Sequence, residues 1–457
     1  MHDSNKCRYC EERPDMKPAT VALDDQSGKI VAMKTKTGIT ETKRTLLPQR
    51  PETIEETGLD FMFLADLTLK IVSLEANCTT DRVADKIKLP ISVVEKILLH
   101  LHNEKLIEIV GVVGFYGHRY AMLDRGWEHI QRLFEMCAYV GPAPVSLGAY
   151  TAMVQSQEKN RDSAKPETVR HALSHLVLPE STFQTLGLVV SSRRSLFITG
   201  PPGNGKTTIA KALHNAQKGG VWIPYAIEVD GQVIKIFDVH NHEPVEPVPT
   251  TPHDRRWIKI KRPIVIVGGE LTIGTMDLIY SQTTRFYEAP FQMKANNGTL
   301  VIDDFGRQRV DPYDLLNRWI IPLEGHIDYL TLHTGKKIKV PFENLLIFAT
   351  NLEPEQIVDE AFLRRMGYRL RVDRPDREMY RQVFQRCVES RFLDCDSKLL
   401  DILLEFYERN QRKMSCCEPR DLVERCIDIC HFENRQVEIT PELLALAWAN
   451  YFGQQSK

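Results

Sequence analysis

The sequence predicts an α/β fold: a doubly wound parallel sheet with a C-terminal helical lid and a smaller, mainly helical domain in front of it. Three observations predict it. Residues 200–208 read Gly-Pro-Pro-Gly-Asn-Gly-Lys-Thr-Thr, set between the apolar run Ser195–Thr199 and the helical pattern Ile209–Leu213. Two more apolar runs, Gly298–Ile302 and Asn344–Thr350, follow at spacings that leave room for helices between them, the alternation that builds parallel sheets. From about residue 376 the pattern becomes four consecutive amphipathic segments, the last opened by the helix-start signal Thr440-Pro-Glu.

The first observation carries the chemistry. Strand, G-x-x-x-x-G-K-[ST] and helix in succession form a phosphate loop, so the chain is read as a P-loop NTPase. Gly200, Pro201, Pro202, Gly203, Asn204, Gly205, Lys206, Thr207 and Thr208 are the residues expected to cradle a nucleotide. The glycines let backbone N–H groups turn inward on phosphate oxygens, and Lys206 reaches the β- and γ-phosphates. The Thr207 hydroxyl is expected on Mg²⁺, with ATP as the nucleotide.

Composition bounds the rest. With 457 residues, a net charge of −2 and 26% charged residues, the chain has room for about three domains and no global basic excess for nucleic acid or anionic lipid. There is no apolar signal core at the start and no run long enough to span a bilayer, so a cytoplasmic protein without membrane contact is expected. Ten scattered cysteines are then read as thiols, and Cys426 and Cys430, four apart, as core residues of one helix. Cys7-x-x-Cys10 has no second pair to complete a metal site.

Taken in order, residues 1–54 are polar, with Lys34, Lys36, Lys43, Arg44 and Arg50, and read as a mostly disordered basic arm with one β-like run at Lys29–Met33. Residues 55–138 give helices over Leu59–Leu74, from Thr79, and over Ser92–Lys105, then a glycine-turned hairpin and a helix from Asp124. This order resembles a winged helix-turn-helix module. Its charge argues against duplex DNA, since nine Lys and Arg face thirteen Asp and Glu and the third helix offers only Lys96 and Lys105 beside Glu95 and Glu104. A protein-contacting module is favoured, with DNA kept as the second reading. Residues 139–375 form the nucleotide-binding α/β domain and 376–457 the lid.

Within 139–375, the run Thr299–Ile302 ends in Asp303 and Asp304. Asp303 is expected to hold Mg²⁺ through water and Asp304 to polarise the attacking water. Asn351 closes the next run and is positioned to orient that water or the γ-phosphate. The block Val221–Lys261 is unusual: it holds an alternating hairpin with Asp230-Gly at its turn, then a Pro-rich loop with Asp238, His240, His242 and His253, read as surface histidines rather than a metal site.

With Walker A at 200–208, Walker B at 298–304, sensor 1 at Asn351, the basic pair Arg364-Arg365 and sensor 2 within Glu418–Leu422, residues 139–457 resemble the AAA+ ATPase family. The approach Ala295-Asn-Asn-Gly and the hairpin His326–Pro341 are similar to MoxR-like and sigma-54-activator-like modules. The resemblance implies ATP hydrolysis and a homo-oligomer, usually a hexamer. It implies that Arg364 or Arg365 reaches a neighbouring subunit's site as an arginine finger, the alternative being charges that cap their own helix. It also implies that Arg420 closes the lid on the γ-phosphate, that the hairpin faces a central channel, and that the work is chaperone-like remodelling of a protein client. Three departures stand out. Asp304 replaces the usual Glu, Cys417 stands where Gly is commoner, and neither an unfoldase pore loop nor the sigma-54-contacting signature is present.

Overall fold

The computed structural model describes residues 39–42, 45–113, 117–247, 251–353, 360–393 and 397–453. Its centre is a parallel sheet of β1 (Leu196–Thr199), β2 (Ile264–Val267), β3 (Thr299–Ile302), β4 (Leu345–Thr350) and β5 (Tyr368–Arg371), in the order β2-β3-β4-β1-β5. Strands β1, β3 and β4 are buried along their whole length, which is why they read as unbroken apolar runs rather than alternating ones. Alternate residues serve opposite faces. Phe197, Leu300, Ile302 and Phe348 pack with Phe305 and Trp319 on one side. Leu196, Ile198, Val301 and Ile347 pack on the other against Ile209, Ala210 and Leu213 of the helix Lys206–Asn215. All five strands point the same way, so their C-terminal ends share one edge.

The N-terminal region has helices Phe61–Ser73, Thr80–Ile87, Ile91–Asn103 and Asp124–Met136, with a small antiparallel sheet of Cys78–Thr79, Gly117–Met122 and Ile107–Val113. Capping sets two of the starts. Asp60 Oδ1 accepts from Met62 N at 2.8 Å, and Thr79 Oγ1 accepts from Arg82 N at 3.3 Å. Pro90 separates the second and third helices.

The unusual block is a docking platform. Its hairpin, Ala226–Val229 and Gln232–Lys235, turns with left-handed Asp230 and Gly231 at φ 51° and 78°. It joins Val145–Ser146, Ile279–Tyr280 and Tyr287–Glu288 in a second five-stranded sheet. Ala226, Val233 and Phe286 from this region enter the apolar core of the N-terminal helices. Arg256, 4% exposed, pairs with buried Asp254 at 2.8 Å and donates to Thr57 O at 2.8 Å and Pro144 O at 3.1 Å. One guanidinium therefore ties three stretches of chain together.

Two expectations change here. Of the basic arm expected over 1–54, residues 1–38, including the run at Lys29–Met33, lie outside the described residues, but the last part is ordered. Leu46 and Leu47 pack on the core beneath the second sheet, and Trp222 Nε1 donates to Leu46 O at 2.9 Å. Polar composition concealed this, because two leucines and the carbonyls of Leu46 and Pro48, the second accepting from Asp254 N at 3.0 Å, supply the anchorage. The histidines of the Pro-rich loop are not all on the surface either. His242 is 2% exposed, its Nδ1 accepts from Asp238 N at 3.0 Å, and its Nε2 faces Lys294 O at 2.9 Å. Both ring nitrogens are thus used in holding the loop to the core.

Residues 377–452 form four helices, Arg377–Glu389, Ser397–Arg409, Glu418–Phe432 and Pro441–Phe452. They close on a core of their own that includes Cys426 and Cys430. The Thr440 hydroxyl caps the last helix through Leu443 N at 3.3 Å. The hairpin Ile327–Thr331 and Lys337–Pro341 buries Leu330, Ile338 and Val340 beside the second sheet and leaves residues 333–337 exposed. No helix among the described residues is long and apolar enough to cross a membrane.

Candidate functional site

The site lies where β1, β3 and β4 end. β1 runs into the phosphate loop, and the loop's last residues begin the helix Lys206–Asn215, whose first amides have no side-chain cap and are directed at the loop. Lys206 Nζ donates to Gly200 O at 2.9 Å and Pro201 O at 3.0 Å, which keeps the ammonium inside the loop. Burial holds it below the usual lysine range, opposed by the carboxylates of Asp303 and Asp304. β3 delivers those two carboxylates. Thr207 Oγ1 donates to Asp303 Oδ2 at 2.7 Å, joining the loop to the strand two places away in the sheet.

Asp304 is left-handed, φ 48°, and its backbone N–H donates to Asp303 Oδ1 at 3.0 Å. Asp304 is exposed on this turn. Asn351, at the end of β4, meets it. With the amide turned so that nitrogen faces the carboxylate, Asn351 donates to Asp304 Oδ1 at 3.2 Å, and its oxygen accepts from Arg307 Nη2 at 3.2 Å. Arg307 is a residue that sequence reasoning missed. Its only signal was a cation three places after the second acid, and the tight turn closed by Arg307 N donating to Asp304 O at 3.0 Å brings it back.

The lid supplies the opposite wall. Cys417 N donates to Gly203 O at 2.9 Å and Cys416 N to Asn204 Oδ1 at 3.2 Å, so the start of the helix Glu418–Phe432 rests on the phosphate loop. Gly203 has φ 79°, and a Cβ there would lie 2.6 Å from Cys417 Sγ. Glycine is therefore required both for the turn and for the thiol. The departure noted at Cys417 is thus a contact in the site wall. Burial raises the thiols of Cys387, Cys416 and Cys417, with Cys416 at about 11, so they stay protonated at neutral pH.

These groups surround a cavity of about 960 Å³ lined by the loop, Asp303, Asp304, Asn351, Arg420 and the segment His175–Leu178. Arg420 is paired with Asp421 Oδ1 at 2.9 Å, facing this space. Arg364 and Arg365 are elsewhere, the first exposed and paired with Glu360 at 3.1 Å, the second with Glu324 at 2.5 Å. Lys206, Thr207, Asp303, Asp304, Asn351 and Arg420, the other residues expected to do chemistry or hold metal, converge on the one pocket. The Thr207 hydroxyl beside the Asp303 carboxylate is the kind of donor set that a magnesium ion would complete with phosphates and water.

A family description matches the C-terminal part of the chain. It is a domain of unknown function, DUF8689, over residues 376–450, the four-helix unit. No curated protein matches. Among solved structures, NtrX from Brucella abortus in complex with ADP matches at 16% identity and a TM-score of 0.38, over 60% of this chain and 56% of that one. The same protein in complex with ATP gives 13% and 0.36, over 79% and 71%. A point mutant of RuvB from Thermotoga maritima gives 12% and 0.35, over 64% and 73%.

Proposed function

We propose that this chain is an AAA+ ATPase that binds ATP with Mg²⁺ between the phosphate loop and the lid, and hydrolyses it to remodel a protein partner. The observation that carries the reading is the Thr207–Asp303 contact with the Asp304–Asn351 contact beside it, in one cavity that Arg420 also lines, and with Arg307 behind Asn351. Lys206 and the loop amides would neutralise the β- and γ-phosphates. Thr207 and Asp303 would hold the magnesium ion, which supplies charge neutralisation between phosphates when bound. Asp304, held by the Asn351 amide, would accept the proton of a water aligned with the γ-phosphate, and Arg420 would meet the charge that builds on the leaving oxygens. Arg364 or Arg365 is proposed to complete a neighbouring subunit's site in a homo-oligomer, a hexamer by family resemblance; their placement outside this pocket is compatible with that role.

The reading of residues 55–138 as a protein-contacting winged helix draws support from the third helix. Its exposed positions are Ile91, Ser92, Glu95, Lys96, Leu99 and Asn103, a surface with one cation and two large apolar side chains, poorly matched to a phosphate backbone. The test of the central proposal is Asp304→Asn. Phosphate release should fall by about a hundredfold or more while ATP affinity stays within about twofold. Unchanged release would remove Asp304 from the chemistry.

A further inference from the structure

The molecule has a second cavity of similar size, about 970 Å³, at the other edge of the parallel sheet. It is bounded by the residues following the helix Lys206–Asn215, by those preceding β2, and by the stretch 160–168. Among the described residues, five cations line it, Arg161, Lys165, Lys218, Lys259 and Arg262, against a single lining carboxylate, Asp162. Glu158 lies nearby but is engaged by Arg193 at 2.8 Å. We propose that this cleft is a binding site for a small polyanion carrying two or more phosphate groups.

The arrangement is built rather than incidental. Arg262 donates to Lys218 O at 3.0 Å and Asn297 O at 2.6 Å, and Arg161 donates to Val190 O at 3.2 Å and Ser191 O at 3.3 Å. Backbone carbonyls thereby fix two guanidiniums in the walls without neutralising them. Burial, and then the neighbouring Arg161, pushes Arg262 down to about 10, the cost of holding like charges together out of water. An anion in the cleft would offset that repulsion. Gly220 keeps the space open, since a Cβ there would come within 3.3 Å of Lys259 Cε and 2.8 Å of Ile260 O. The helix Pro166–Leu173 starts at the rim, with Lys165 as its cap residue.

The volume fits a compact ligand rather than a strand. Single-stranded nucleic acid is gripped through exposed aromatic faces, and the one aromatic residue among the described residues of the lining, Trp222, is 4% exposed and packs against His253 at 5.0 Å. Inorganic polyphosphate and phosphorylated small metabolites share the required chemistry.

The test uses the full chain and inorganic tripolyphosphate as the probe in calorimetric titrations, on wild type saturated with ADP and on Lys206→Ala, so that the phosphate loop is out of play in both. One equivalent should bind in each, and a phosphorylated sugar such as fructose bisphosphate in the same assay separates the metabolite source from the inorganic one. Replacing Lys165, Lys218 and Lys259 together by alanine should weaken binding by at least about tenfold. The same triple variant should keep wild-type ADP affinity and unfolding midpoint, and Lys336→Ala should leave tripolyphosphate binding unchanged. Binding unaffected by the triple change, no binding to either protein at millimolar probe, or displacement of the probe by a short single-stranded oligonucleotide at far lower concentration would each overturn the proposal.

Discussion

The two attachments of the parallel sheet differ in kind. The N-terminal helices share an apolar core with the second sheet through Ala226, Val233 and Phe286, and Arg256 fastens the joint from inside. The lid has a closed core whose members all lie at or beyond residue 380, and it meets the sheet domain through polar contacts. These include Cys417 N to Gly203 O, Cys416 N to Asn204 Oδ1, and Arg386 Nη1 to Ser174 O and Leu176 O at 2.9 and 2.8 Å. Apolar burial is lost all at once when a joint opens, whereas polar contacts at a surface exchange with water at a net cost of about 1 kcal/mol each. On this contrast the N-terminal unit is expected to stay with the sheet, and the four-helix unit to be the part that separates more easily.

The largest test of that contrast is Arg256→Ala. It leaves Asp254 buried without its cation and two carbonyls without a donor, and should cost about 3–5 kcal/mol of unfolding free energy in a urea titration. Amide exchange should accelerate across residues 60–136 and stay near wild type in the lid. Equal acceleration in both would contradict the division.

Acid offers a second, smaller test. Burial, followed by Arg262 and Arg193, lowers His214 from 6.5 to about 4, and its Nδ1 lies 3.1 Å from Thr299 Oγ1. The unfolded chain then binds the extra proton first, so stability is full above pH 6.5 and falls as pH drops towards 4. The loss is at most about 3 kcal/mol, and it is flat below that. His214→Asn should flatten this slope. Because His214 joins the nucleotide-loop helix to β3, the loss should appear in the sheet domain and the N-terminal unit together, with the lid retaining its protection.

The smallest effect probes the lid contact itself. Gly203→Ala puts a methyl group on the Cys417 thiol and should weaken ADP binding by about tenfold, or about 1.4 kcal/mol. Adding Cys417→Ala should recover part of that loss. No recovery would assign the whole effect to the φ of 79° at residue 203.

What was legible in the sequence follows the same division. β1, β3 and β4, the loop between strand and helix, and the four lid helices could be read because each is specified by a local pattern of burial or by a motif. Asp303, Asp304, Asn351 and Arg420 follow from position at a strand end or helix start, and they do meet in one cavity. Arg307 was not legible, since only the turn at Asp304 shows that a side chain three places on folds back. The second sheet was hidden too: it takes two-residue strands from 145, 279 and 287, too short to carry a period, and assembles them around one readable hairpin. The contact of Leu46 with Trp222 crosses 176 positions, and nothing local announces it.

The sharing of one core across the junction has a practical consequence for anyone dissecting this chain. A fragment cut at residue 139, where the sequence suggests a domain boundary, would strip the N-terminal helices from Ala226, Val233 and Phe286 and leave an apolar scar on the remainder. Such a fragment should aggregate on expression. Cutting near residue 376 instead removes a unit that carries its own interior, so chimeras that exchange helices 377–452 are the ones expected to stay in solution.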